Sequence, residues 1–256
     1  MDWPKYAEEL NSYIRMTQFP IGFKLCKSRD EIPKGARRPR FRINVCQLGL
    51  YARAYGWTMA ATWEEQNCVL GACCCGLIPT PERVSKGVLG AGVYQKDLEA
   101  AAAMQKEMPK LDPIYDAIVA FPLHSATDGL EPDVIILYVN SAQCLRLIQA
   151  SLWHEGGAFT SPSVGDAGMC SMGIAYVMKT QGIAKDVPCM GDRRFAGAQE
   201  GDIIFSFHKS RAQQILEGLE GTHKGGIRYP IPTYLSEAAM PFNYFTEVGD
   251  LLAKKK

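Results

Sequence analysis

The sequence predicts a single α/β or α+β domain over residues 1–256, a mixed sheet with flanking helices. Three observations carry this. Segments of helical and of strand-like periodicity are interleaved along the whole chain. No linker, low-complexity tract or break in composition separates them. A chain of 256 residues, 47% of them hydrophobic, can also bury a core without disulfide staples.

The elements follow in order. Pro4 falls where a helix can begin, and Tyr6, Ala7, Leu10, Tyr13 and Ile14 recur at helical spacing, which predicts an amphipathic helix over 4–17. IGFKLCK, 21–27, alternates like a strand. From about 28 to 42 the chain is charged and broken by Pro and Gly, an exposed basic connection leading into a helix over 46–55 that Gly56 stops. WTMAATWEE, 57–65, is strand-like, and the Ala-rich run 96–111 is a helix ending near Pro109. DAIVAFPL (116–123) and DVIILYVN (133–140) are short β-branched apolar runs that fit buried strands. A helix follows, capped by Asn140 or Ser141 and closed by Gly156 and Gly157. Beyond it the patterns predict a helix after Cys170, a strand over 202–207, a helix over 210–221 and a Pro- and aromatic-rich tail, flexible from about 250 to 256.

Charge and hydropathy narrow the function. Lys and Arg number 28 against 27 Asp and Glu, a net charge of +1, so no global field points to nucleic acid or an anionic membrane. No run reaches the ~18 apolar residues of a membrane span, and the N-terminus lacks a signal-peptide core, so a cytoplasmic protein is expected. In a reducing compartment, nine cysteines, an odd number, read as metal ligands, redox groups or small buried hydrophobes.

The cysteines carry a repeated signature. Cys46-Gln-Leu-Gly49, Cys68-Val-Leu-Gly71 and Cys170-Ser-Met-Gly173 all obey Cys-x-[Leu or Met]-Gly, each followed by a helix-like run. A helix N-terminus carries partial positive charge and unpaired N–H groups, which lower a thiol's pKa and present a thiolate. A glycine three residues on, without a Cβ, lets a bulky cofactor or another backbone approach, which makes Gly49, Gly71 and Gly173 candidate cofactor-facing positions. Three such thiolates can converge on one iron–sulfur cluster of the 4Fe-4S type. The fourth ligand is then Cys189, one of Cys73 to Cys75, His154 or a non-protein molecule. Consecutive helical residues point about 100° apart, so Cys73, Cys74 and Cys75 cannot all face one cluster, and packing is the simpler role for them. The paired Cys-x2–4-Cys spacing of zinc sites is absent from the three signatures.

These segments resemble a known family. FPIGFKLCK, CQLGLYARAYGW, NCVLGA, EPDVIILYVNSAQCLRLIQA, GMCSMGIA and GDRRFAGAQEGDIIFSF, from about residue 18 to 220, resemble the archaeal and bacterial domain-of-unknown-function family 169. The resemblance implies little about activity. The family's frequency in anaerobes fits an oxygen-sensitive cluster, and Cys46, Cys68 and Cys170 match family cysteine positions, whereas the Cys73–Cys75 run is particular to this chain.

Other features are weaker. SKGVLGAGVY, 85–94, reverses the glycine order of the dinucleotide fingerprint and reads as a flexible loop near the cofactor. GDRRFAG, 191–197, offers Arg193 and Arg194 as an anion or substrate anchor, or else an Asp192–Arg ion pair pinning a turn. ARRPRFR is a solvated basic loop or a dock for an acidic electron-transfer partner. His154 is more simply a helix-end histidine than a ligand.

The sequence thus favours a cytosolic iron–sulfur protein with a redox or small-molecule-transforming role, an oxidoreductase or lyase if it is an enzyme, acting on a small or anionic substrate or with a redox partner. Two alternatives stand beside it: a metal-free thiol redox enzyme or sensor, and a small-ligand binding protein with structural cysteines.

Overall fold

The computed structural model describes residues 1–127, 129–231, 251 and 254. The Pro- and aromatic-rich tail beyond 231 and the flexible end expected over 250–256 otherwise lie outside the described residues.

The elements run α1 (Trp3–Ile14), β1 (Ile21–Cys26), α2 (Val45–Tyr55), β2 (Met59–Thr62), α3 (Val69–Cys74), α4 (Glu82–Ser85), α5 (Leu98–Glu107), β3 (Ala117–Pro122), β4 (Val134–Val139), α6 (Ser141–Ser151), a π-helix (Gly168–Tyr176) running into α7 (Val177–Thr180), β5 (Ile183–Asp186), α8 (Met190–Ala196), β6 (Ile203–His208) and α9 (Ala212–Lys224). The strands form one six-stranded sheet in the order β2-β3-β1-β4-β6-β5. Every strand pair is antiparallel, which decides for α+β. Among the described residues parallel pairing is confined to isolated bridges such as Arg37 with Met59 and Ile43 with Gln66.

Period-2 alternation gives the sheet two apolar faces. Val119, Phe121, Ile135, Leu137, Phe205 and Phe207 point to one side, where Leu10 of α1, Leu147 of α6 and Leu219 of α9 cover them. Ile21, Phe23, Ile118, Ile136, Tyr138 and Ile204 point to the other, against Leu48 and Ala52 of α2 and Met169 and Ile174 of the π-helix. Each fully buried Leu, Ile or Phe contributes about 1.5–3 kcal/mol of hydrophobic stabilisation. Caps fix the helix starts: Asp2 accepts from the Lys5 N–H at 3.1 Å, and Asn140 and Gln143 exchange two bonds of 2.9 Å.

The differences from expectation are local. The helix after Asn140 ends at Ser151, with Gly156 and Gly157 further on in left-handed conformation. The helix expected after Cys170 begins at Gly168 and includes that cysteine as a π-helix. Strand β5 and helix α8, four and seven residues long, were not foreseen; elements this short draw their stability from packing.

The basic connection is not a loose loop. The Arg37 N–H donates to Thr58 O and Arg37 O accepts from Ala60, both at 2.9 Å, so the segment is strapped along the edge strand β2.

Candidate functional site

Four helix starts meet on the α2 face of the sheet. Cys46 is the second residue of α2 and Cys68 the residue that caps α3; Cys170 is the third residue of the π-helix and Cys189 the residue before α8. All four line one cavity of about 370 Å³. The expected juxtaposition of Cys46, Cys68 and Cys170 is present, with Cys189 as the fourth member. The remaining cysteines are elsewhere. Cys26 and Cys144 sit in the core on the opposite face of the sheet, and Cys73, Cys74 and Cys75, at the end of α3, are buried. Only Cys46, Cys68, Cys170 and Cys189 are half-buried among the nine; the other five are buried. Cys74 does approach the site, since its thiol lies close enough to that of Cys170 for the two to shift each other's titration.

The expected lowering of the thiol pKa is overturned. Burial pushes the thiols of Cys46, Cys68 and Cys189 up, Cys189 to about 11. The Gly71 N–H does reach Cys68 Sγ at 3.4 Å, and backbone N–H groups also face Cys189, but desolvation of the charged form outweighs them. In the Cys74–Cys170 pair the interaction of the two thiols eases the loss of one proton and holds the second well above the ordinary thiol range.

The glycines divide. Gly71 lines the cavity. Gly49 and Gly173 do not, which corrects their cofactor-facing assignment. A Cβ at Gly49 would lie 3.1 Å from Met169 Sδ and 3.4 Å from Phe23 Cζ, and one at Gly173 would lie 3.2 Å from Ile136 Cδ1. These two let α2 and the π-helix settle onto the sheet, which brings their starts to one place.

The two arginines divide as well. Arg194 is exposed and lines the cavity. Arg193 instead donates to Pro188 O at 3.1 Å and Gln199 O at 2.9 Å, tying its own turn. The Asp192–Arg ion pair is not formed among the described residues. Asp192 is 1% exposed and accepts from the Cys189 N–H at 3.2 Å, the Met169 N–H at 3.4 Å and the Tyr138 hydroxyl at 3.2 Å. Burial raises its pKa. The Arg53 guanidinium of α2 lies over the Tyr138 ring, 4.1 Å from the centroid, and donates to Ala196 O at the end of α8. This buried chain fixes the Cys46 helix against the Cys189 helix.

Several wall residues had no sequence signal: Asn44, Asn67 and Asp166 line the cavity. Asp166 is 7% exposed, and burial raises its carboxyl pKa while Gln105 donates to it at 3.3 Å. The glycine-rich loop does lie beside the site, through Leu89 and Tyr94. His154 is far from it in role, pairing at 3.1 Å with Glu217 of α9. Among the described residues no three His, Cys, Asp or Glu side chains gather closely enough to hold a single metal ion. No helix among them is long and apolar enough to cross a membrane.

Comparison with known proteins gives kinship and no assigned activity. The chain is 29% identical over 217 residues to an uncharacterised protein of Methanocaldococcus jannaschii, a match covering 84% of this chain and 92% of that protein. No solved structure matches it. The sequence profile described as "Uncharacterised ArCR" matches residues 9–218, and on that match the chain belongs to the DUF169 family.

Proposed function

We propose that the chain holds an iron–sulfur cluster of the 4Fe-4S type in this cavity, on Cys46, Cys68, Cys170 and Cys189, and serves one-electron redox chemistry. One observation carries the reading: the four cysteines that keep surface open are the four that line the same cavity, from four separate helix starts. The donor set fits the group. Four thiols, with no histidine in the wall, suit iron and sulfide. A single zinc ion needs its sulfurs within roughly 4 Å of one another, twice 2.3 Å folded to the tetrahedral angle, and among the described residues no three His, Cys, Asp or Glu side chains gather around one such point.

Bound there, such a cluster would be held by Cys46, Cys68, Cys170 and Cys189 and would supply one-electron transfer. The chain's own residues do the rest. Helix-start N–H groups face the sulfurs, as the Gly71 N–H does Cys68 Sγ, and hydrogen bonds of this kind tune a cluster's potential. Asp192 holds the Cys189 backbone in place. Leu70 and Phe195 add apolar surface to the cavity wall. Burial raises the thiols of Cys46 and Cys189, which disfavours a free thiolate nucleophile, whereas a bound cation would deprotonate them.

Anaerobic purification, or reconstitution with iron and sulfide, tests the proposal. The protein is expected to be brown, with about four irons per chain. Single replacement of Cys46, Cys68, Cys170 or Cys189 by Ala should remove most of the visible absorbance, whereas Cys26→Ala and Cys144→Ala retain it and Cys74→Ala retains most of it. A colourless wild-type chain that takes up no iron overturns the reading.

A further inference from the structure

The strap along β2 carries a surface that the cavity does not use. From 34 to 42 the sequence is KGARRPRFR, five cations and no acid. Arg38 is paired with Glu65. Arg37, Arg40 and Arg42 are exposed and form no ion pair among the described residues. Behind them stands an aromatic shelf. The Arg37 guanidinium lies 4.1 Å from the Trp57 ring centroid, Trp57 stacks on Tyr51 at 5.6 Å and meets Tyr55 at 5.3 Å. Phe41 is 65% exposed and Tyr55 57%. A groove of about 590 Å³ runs between the strap and this shelf.

Two features give the surface a use. Its backbone is fixed by pairing to β2 and, through Ile43, to Glu65 and Asn67, so the cations are held in place before any partner arrives. It also leads straight into the site. Ile43 is followed by Asn44 of the cavity wall, and Arg42 is four residues from Cys46, a separation that cannot exceed about 14 Å between Cα atoms.

We propose that this basic aromatic face docks a small acidic electron-carrier protein, which exchanges electrons with the group held by the four cysteines. The inference rests on the cluster reading above. One electron leaves the reduced carrier and enters the cysteine-held group, with no bond made or broken and no proton moved. Exposed arginines flanking aromatic rings are the composition that transient interfaces favour. Nucleic acid fits less well: the four cations without an ion pair among the described residues, Lys34, Arg37, Arg40 and Arg42, neutralise about four phosphates, fewer than the roughly 6–10 contacts behind steeply salt-dependent DNA binding. The Trp57 face is already occupied by Arg37, so the ring best suited to stacking a planar small molecule is covered.

The test uses the full-length protein, prepared anaerobically, and an acidic 2Fe-2S ferredoxin as the probe. Binding is read by calorimetry at low and at high salt, for the wild type and for Arg40→Glu/Arg42→Glu, with visible absorbance recorded on the same samples. The expected result is a weak complex at low salt, weakened by about tenfold or more in the variant and by high salt, while the variant keeps its colour and its circular dichroism. Coloured protein that binds no ferredoxin, binds it equally well after charge reversal, or binds a single-stranded oligonucleotide more tightly overturns the docking face and leaves the cluster reading standing. Colourless wild-type protein overturns the cluster reading itself, and electron delivery with it.

Discussion

At the scale of single residues, environment outweighs residue type. The Cys-x-[Leu or Met]-Gly signature marks helix starts, and a helix start acting alone would make a reactive thiolate. Burial acts in the opposite direction and prevails at Cys46, Cys68 and Cys189. The sign follows from linkage. An unfolded thiol ionises near about 8.5, whereas Cys189 in the fold stays protonated to about 11. The unfolded chain therefore holds fewer protons across that window, so the stability contributed below it is lost as pH rises through it. For iron-free protein, the urea midpoint should fall between pH 8.5 and 10.5, and Cys189→Ala should make the fall shallower; an unchanged slope in that variant would show that this thiol is not desolvated. Cys46, Cys68 and Cys170 were legible because a spacing repeated three times is visible in one dimension. Cys189 was legible only as a spare thiol, since Met-Gly-Asp follows it. The glycines misled for a physical reason: an absent Cβ announces a close approach without naming the neighbour.

At the scale of elements, the decisive contact joins the π-helix to α8. A Cβ at Gly168 would lie 2.9 Å from Val187 O, 3.0 Å from Cys189 N and 3.0 Å from Asp192 Oδ2. Two of these atoms are backbone and cannot swing aside. Gly168→Ala is therefore expected to destabilise the protein by about 1–3 kcal/mol and to lower iron uptake by pushing Cys170 and Cys189 apart. Gly35→Ala, where a Cβ would meet nothing within 4 Å, serves as the neutral control in denaturant unfolding. Equal effects in the two variants would remove the contact from the account. Long amphipathic helices such as α1 and α9, and strands such as β3 and β4, were readable from periodicity because each buries a whole face. The π-helix was not, because i→i+5 bonding carries no composition of its own. Here it coincides with Asp192 accepting from the Met169 N–H, a contact between residues 23 apart.

At the scale of the molecule, the sheet separates two layers with different dependences. The α1, α6 and α9 layer closes over the core through Leu10, Leu147 and Leu219. The other layer meets at a cavity whose four cysteines come from residues 46 to 189, so a group bound there crosslinks α2, α3, the π-helix and α8. Removal of iron by a chelator under anaerobic conditions should lower the unfolding free energy by about 3 kcal/mol or more. Hydrogen exchange should accelerate in α2, α3 and α8 before α1, α6 and α9. Uniform acceleration across both layers, or none, contradicts a crosslink at the cavity.

The sequence by itself determined the alternation of helices and strands, the near-neutral charge and the three cysteine-bearing helix starts, because each is a local pattern of period, composition or spacing. Tertiary structure alone decided that the sheet is wholly antiparallel, that Cys189 joins the other three while Cys73, Cys74 and Cys75 turn into the core, and that Arg194 faces the cavity while Arg193 ties a turn. Those outcomes depend on which surfaces meet across more than a hundred residues of chain. They follow from burying both faces of one sheet at once, a constraint that no local window contains.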